Sequence, residues 1–266
     1  MDKEDIKRLA ENPNFISGIY NYCDRWCERC PFTSRCMNFS LSSEQFPDQE
    51  SHDMNNEVFW EKLAETFQVT LELAKEMAER EGIDLDSIDI EETMEEGRLN
   101  DEFAKNHECC RAAKGYGEMA GHWFDSARDL FEENEDESNL KVQFELLDND
   151  PIEEASTLED ALEVIRWYQH QIYVKLMRAV RGDLRERPEI LDEFPKDSDG
   201  SAKVALIGMD RSIAAWGEVR NHLPIFNNEI MALLVHLDRL RGKTEKAFPD
   251  AREFIRPGFD KIDLNS

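Results

Sequence analysis

Four cysteines stand close together near the start of the sequence, in the run YNYCDRWCERCPFTSRC over residues 20–36. Cys23, Cys27, Cys30 and Cys36 follow the spacing C-x3-C-x2-C-x5-C. The thiolate is the metal-ligating form of cysteine. Four such residues packed into one short segment predict a shared metal centre rather than a disulfide framework, which belongs to oxidising compartments. The alternative is that they serve as small buried apolar residues or free thiols.

The spacing bears on which metal. A single zinc ion holds its thiolates at about 2.3 Å and favours two tight C-x2-C knuckles, whereas this block contains one. A [4Fe–4S] cluster is bulkier and accepts closely spaced cysteines at its corners. If the segment were helical, Cys23, Cys27 and Cys30 would share a face but spread over about 10 Å of axis at 1.5 Å per residue. That spread favours a [4Fe–4S] cluster over zinc. Either group leaves excess negative charge, and Arg25, Arg29 and Arg35 stand among the ligands to offset it. Tyr20, Tyr22, Trp26, Phe32 and Phe39 would wall the site from solvent and tune a potential, or simply dock the segment on the rest of the fold.

The first three cysteines, in C-x3-C-x2-C, resemble the signature of radical SAM enzymes over eight residues. The resemblance implies a cluster with one iron open to S-adenosylmethionine and a barrel of alternating strands and helices. This chain instead reads as helix after helix, and Cys36 is available to close the fourth iron, so no catalytic residue is carried over from that family.

Elsewhere the chemistry-bearing residues are sparser. Cys109 and Cys110 are adjacent on one predicted helix, point about 100° apart and read as core thiols. Glu163 with His170 and Glu229 with His236 are two turns apart, too far for one ion to take both, and the Glu-x-x-His pattern of bundle di-iron sites is absent from the sequence. Asp210, Arg211 and Glu218 share a narrow polar arc of an otherwise apolar helix, which reads as a solvent-facing strip.

Prolines punctuate the chain and leave long stretches free to run as helices. Steps of three and four mark amphipathic helices over about 52–80, 101–134, 157–186 and 201–222, with a fifth starting at Pro224. On the first, Phe59, Leu63, Phe67, Thr70, Ala74 and Met77 form the expected inner stripe. The helix over 201–222 is apolar around most of its circumference and reads as the central one. No segment alternates with period two. The predicted fold is all-α: a bundle of four or five long helices, with an irregular Cys-rich N-terminal segment and few or no strands. The expected division is 1–50 for the N-terminal segment with its four-cysteine metal-binding block, 51–247 for the bundle and 248–266 for an irregular C-terminal tail. Residues 81–102 hold ten acids and one Arg, and residues 132–160 hold twelve acids and one Lys; both read as solvated connections.

The 266 residues carry 32 Lys and Arg against 59 Asp and Glu, a formal charge of −27. Polyanion partners are disfavoured by that field, so neither nucleic acid nor an anionic membrane surface is expected. A protein partner is compatible with it, and no small-molecule substrate can be named. The longest apolar runs fall well short of the roughly 20 residues of a bilayer span. The N-terminus lacks a secretory pattern, so a cytoplasmic setting is expected. The expectation for function is a helical protein holding an iron–sulfur cluster, [4Fe–4S] in type, through the four cysteines in a redox or sensing role. The alternative is a zinc-stabilised helical interaction protein without catalysis. Whether the chain is an enzyme is left open.

Overall fold

The computed structural model describes residues 3–48, 51, 53–87, 89–132, 151–184 and 195–260. Among these the fold is all-α, with eight α-helices and no strand. They are α1 (Lys3–Ala10), α2 (Met37–Gln45), α3 (Glu57–Glu81), α4 (Ile90–Asn106), α5 (Glu108–Glu132), α6 (Pro151–Leu184), α7 (Asp197–His222) and α8 (Asn227–Ala247). The chain divides into two compact units. One comprises residues 1–97 with 255–266, and the other residues 98–254. The boundary therefore falls inside α4, and the expected division at residue 50 does not coincide with it.

The second unit is a four-helix bundle in which α5 packs on α6, α6 on α7, α7 on α8, and α8 back on α5. Helices lie over the expected spans 157–186 and 201–222 among the described residues, and one follows Pro224. Cys109, Ala113, Tyr116, Ala120, Trp123 and Ala127 line the inner face of α5, and Leu158, Ile165, Ile172, Leu176 and Val180 that of α6. Ile230, Leu233, Leu237 and Leu240 do the same on α8. The continuously apolar α7 is buried on most sides, as a helix with several neighbours must be. Trp216 on α7 donates its indole N–H to the Tyr116 hydroxyl on α5 at 3.1 Å, and Trp123 meets the Trp216 ring edge-on at 4.9 Å. This joins the two helices that lie diagonally across the bundle. Burial pushes the Tyr116 phenol up to about 12, so the group is a neutral hydrogen-bonding post.

Glycine permits a close approach of α7 to the side chains of α6. A Cβ on Gly208 would lie 2.8 Å from Cδ1 of Tyr168 and 3.2 Å from Cγ1 of Ile172. Both neighbours are buried core side chains.

The first unit is built differently. Asn56 caps α3 by accepting from the Val58 N–H at 3.1 Å, and Gly82 ends it in the left-handed conformation at φ 70°. The short α1 docks on α3 through Lys3 and Lys7, whose ammonium groups both donate to Glu76. The hydrogen bond from Lys3, followed by that from Lys7, draws the Glu76 carboxyl down to about 2. The inner face of α3 follows the expected stripe only in part: Phe59 and Leu63 are half-buried, but Phe67 and Met77 are exposed at 61% and 56%, and Leu73, outside that stripe, is half-buried.

Two further expectations are corrected. Residues 81–102 are not wholly a connection, because α4 occupies Ile90–Asn106. Glu91 and Glu92 in its first turn favour the positive end of the helix dipole, and Arg98 pairs with Glu102 at i,i+4. The single helix expected over 101–134 is broken at His107, whose Nδ1 accepts from the Cys109 N–H at 3.3 Å and caps α5. In the second acidic stretch, 151–160 belongs to α6 and 133–150 lies outside the described residues. Replacing Gly208 by Ala should destabilise the bundle by about 1–3 kcal/mol through overpacking, read as a lowered denaturant midpoint with an unchanged slope.

Candidate metal centre

The Cys segment is a chain of tight turns rather than a helix. Gly18 enters it in the left-handed conformation at φ 73°, and three single 3-10 turns follow at Ile19–Asn21, Cys27–Arg29 and Thr33–Arg35. Between the first two, Asp24 accepts the Trp26 N–H on its side chain at 3.2 Å, and the Arg25 carbonyl accepts the Cys27 N–H at 3.0 Å. Arg25 itself has φ 61°, the one non-glycine residue with positive φ among the described residues. A left-handed Arg is an uncommon and strained choice. Here it reverses the chain so that Cys23 and Cys27 both reach the same side. Cys36 is the last residue before α2, where the positive end of the helix dipole favours an anionic group. The Ile16 N–H closes the segment on the Arg35 carbonyl at 3.0 Å.

These turns bring all four predicted ligands to one place. Cys23, Cys27, Cys30 and Cys36 line a single open cavity of about 320 Å³, together with Tyr20, Trp26, Phe39 and Phe259. All four sulfurs are reduced and half-buried. Burial raises the Cys27 thiol above its ordinary value, and the neighbouring Cys23, Glu28, Cys36 and Cys30 raise it further. The Phe32 N–H donates to Cys30 Sγ at 3.4 Å, and the Cys23 thiol lies 3.6 Å from the Tyr20 carbonyl. Yet among the described residues no three His, Cys, Asp or Glu side chains are grouped to hold one metal ion.

The surroundings sort the three arginines. Arg29 lies over the Trp26 ring at 4.2 Å, and Arg35 reaches the Asn14 carbonyl at 3.4 Å. Arg25 lines the cavity.

One wall of the cavity has no signal in the sequence. Residues 255–260, expected as an irregular tail, fold back onto the Cys segment within the same unit. Phe259 meets Phe32 edge-on at 5.1 Å. Gly258, at φ 78°, lets the strap lie so close that a Cβ there would be 2.9 Å from Ile16 Cδ1 and 3.0 Å from Ile19 Cδ1. Arg256 pins the strap by pairing with Asp260 at 2.9 Å and covering the Phe259 ring. A lone Phe-Asp pair beside a glycine carries no pattern that could have announced this.

The remaining candidates resolve into structural roles. Cys109 and Cys110 are fully buried in the bundle, and burial pushes the Cys110 thiol up to about 12. His236 donates to the Ala112 carbonyl at 2.7 Å, tying α8 to α5, while His170 meets the side chain of Gln169. In the polar arc of α7, Asp210 pairs with Arg252 at 2.6 Å and with Arg241 at 3.3 Å. Arg211 donates to the Tyr168 hydroxyl, and Glu218 meets His222 at 3.0 Å.

No protein-family model matches the chain, and comparison with curated proteins and with solved structures gives no significant match. Among the described residues no helix is long and apolar enough to cross a membrane. Titration of the native, metal-free protein with a thiol reagent should label four cysteines readily and Cys109 and Cys110 only after denaturation. Phe259→Ala should quicken the labelling of the first four several-fold by removing a wall of the cavity.

Proposed function

We propose that Cys23, Cys27, Cys30 and Cys36 hold an iron–sulfur cluster, [4Fe–4S] in type, and that the protein acts in electron transfer or in redox sensing. The observation that carries this reading is the convergence of four thiols on one cavity. The single C-x2-C knuckle in the spacing favours a cluster over zinc. A bound cluster supplies one-electron redox chemistry at a potential set by its surroundings.

The chain's own residues would perform the rest. Tyr20, Trp26, Phe39 and Phe259 keep water from the site, and the Phe32 N–H aimed at Cys30 Sγ stabilises negative charge on that sulfur. The Arg25 guanidinium offsets the excess charge of four thiolates. Binding must displace the thiol protons, and Cys27, raised by burial, releases its own reluctantly. Uptake by the apo protein therefore strengthens as pH rises through the thiol range. A reducing compartment belongs to the same proposal, since the thiols must stay reduced.

Anaerobic purification, followed by reconstitution, tests it. The expected product is coloured and carries four iron and four sulfide per chain. Cys36→Ser should lose most of both. Stoichiometric zinc in a colourless protein would replace the cluster with a structural ion, and unchanged iron in Cys36→Ser would remove that residue from the ligand set.

A further inference from the structure

The outer face of α3 carries apolar side chains where a solvent-facing helix carries polar ones. Trp60, Phe67 and Leu71 are 56%, 61% and 57% exposed. They recur at steps of seven and four, which places them on one stripe of the helix. The indole is fixed in this position, since Trp60 donates its N–H to the Met54 carbonyl at 2.9 Å and meets Phe59 edge-on at 5.2 Å. Single exposed apolar residues need no explanation, but a contiguous stripe of large ones marks a contact surface. The opposite face of α3 is already engaged, through Glu76, with Lys3 and Lys7 of α1.

Charge says what kind of partner the stripe fits. Glu57, Glu61 and Glu65 form a second exposed stripe about 100° round the same helix. None of the three makes an ion pair among the described residues. Residues 57–97 as a whole carry fourteen Asp and Glu against three Lys and Arg. We propose that this face of α3 is a docking surface for a cationic amphipathic helix, whose apolar side covers Trp60, Phe67 and Leu71 while its Lys and Arg side chains meet Glu57, Glu61 and Glu65. Helix-in-groove and helix-on-helix recognition work by this pairing of apolar anchors with a charged flank. A second copy of the chain is a poor occupant, because it would set one acidic flank against another within a chain of charge −27. An anionic lipid surface is repelled for the same reason. The inference stands on α3 alone and does not depend on what the cysteines bind.

Calorimetric titration of the full chain tests it, with a synthetic helical peptide of Leu at i, i+3, i+4 and i+7 and Lys elsewhere, and a second peptide in which Glu replaces every Lys. The expected result is binding of the Leu/Lys peptide at least tenfold tighter than the Leu/Glu peptide, weakening as salt is added. F67S/L71S should reduce that affinity at least tenfold and E61Q/E65Q several-fold, with helical circular dichroism unchanged in both because all four positions are exposed. Absence of binding, equal affinity for the two peptides, or affinity unaffected by F67S/L71S overturns the proposal. So does sedimentation showing that the chain self-associates through Phe67 and Leu71, which would assign the face to a second copy.

Discussion

The bundle depends on how closely two helices can approach. At Gly208 the backbone of α7 comes near enough to α6 that the rings and branches of Tyr168 and Ile172 occupy the space a side chain would fill. Interiors are packed at crystal density, and such a contact fixes both the separation and the register of a helix pair. Polar contacts tie α7 to its neighbours. Arg211 finds the Tyr168 hydroxyl, Trp216 finds Tyr116 across the bundle, and Asp210 is left on the outer side for Arg241 and Arg252. The ionisable arc of α7 is thus engaged in ion pairs and hydrogen bonds within the unit.

Much of this architecture is legible in the sequence, because burying one side of a helix writes a period of 3.6 into it. The faces of α5, α6 and α8 and the all-round burial of α7 can be read directly. The failures have specific causes. On α3 the stripe is half-buried at Phe59 and Leu63 as periodicity suggests, but Phe67 and Met77, further along it, are exposed, and Leu73 outside it is half-buried. Helix α4 leaves its apolar residues Ile90, Met94, Leu99 and Phe103 exposed among many acids, with dipole compensation and an i,i+4 pair in its favour, and composition alone reads it as a solvated connection. The short α1 and α2 lack the length for periodicity to register.

For the cysteines, sequence spacing indicates that four thiols could act together, and the folded segment brings them to one cavity. Spacing cannot show how. A helical segment would string three of them along an axis, whereas the turns around Asp24, Arg25 and Trp26 fold that distance up. The backbone conformation of a single residue, Arg25, is not visible in composition, and neither is a contact such as Phe32 with Phe259, which spans most of the chain.

That last contact sets an order of events during synthesis. The cysteines leave the ribosome early, and the strap of Gly258 and Phe259 follows only after the whole bundle has been made. At roughly 5–20 residues per second, the thiols wait on the order of ten seconds or more before their final wall exists. The cavity is therefore completed by a stretch of chain made long after the cysteines it covers.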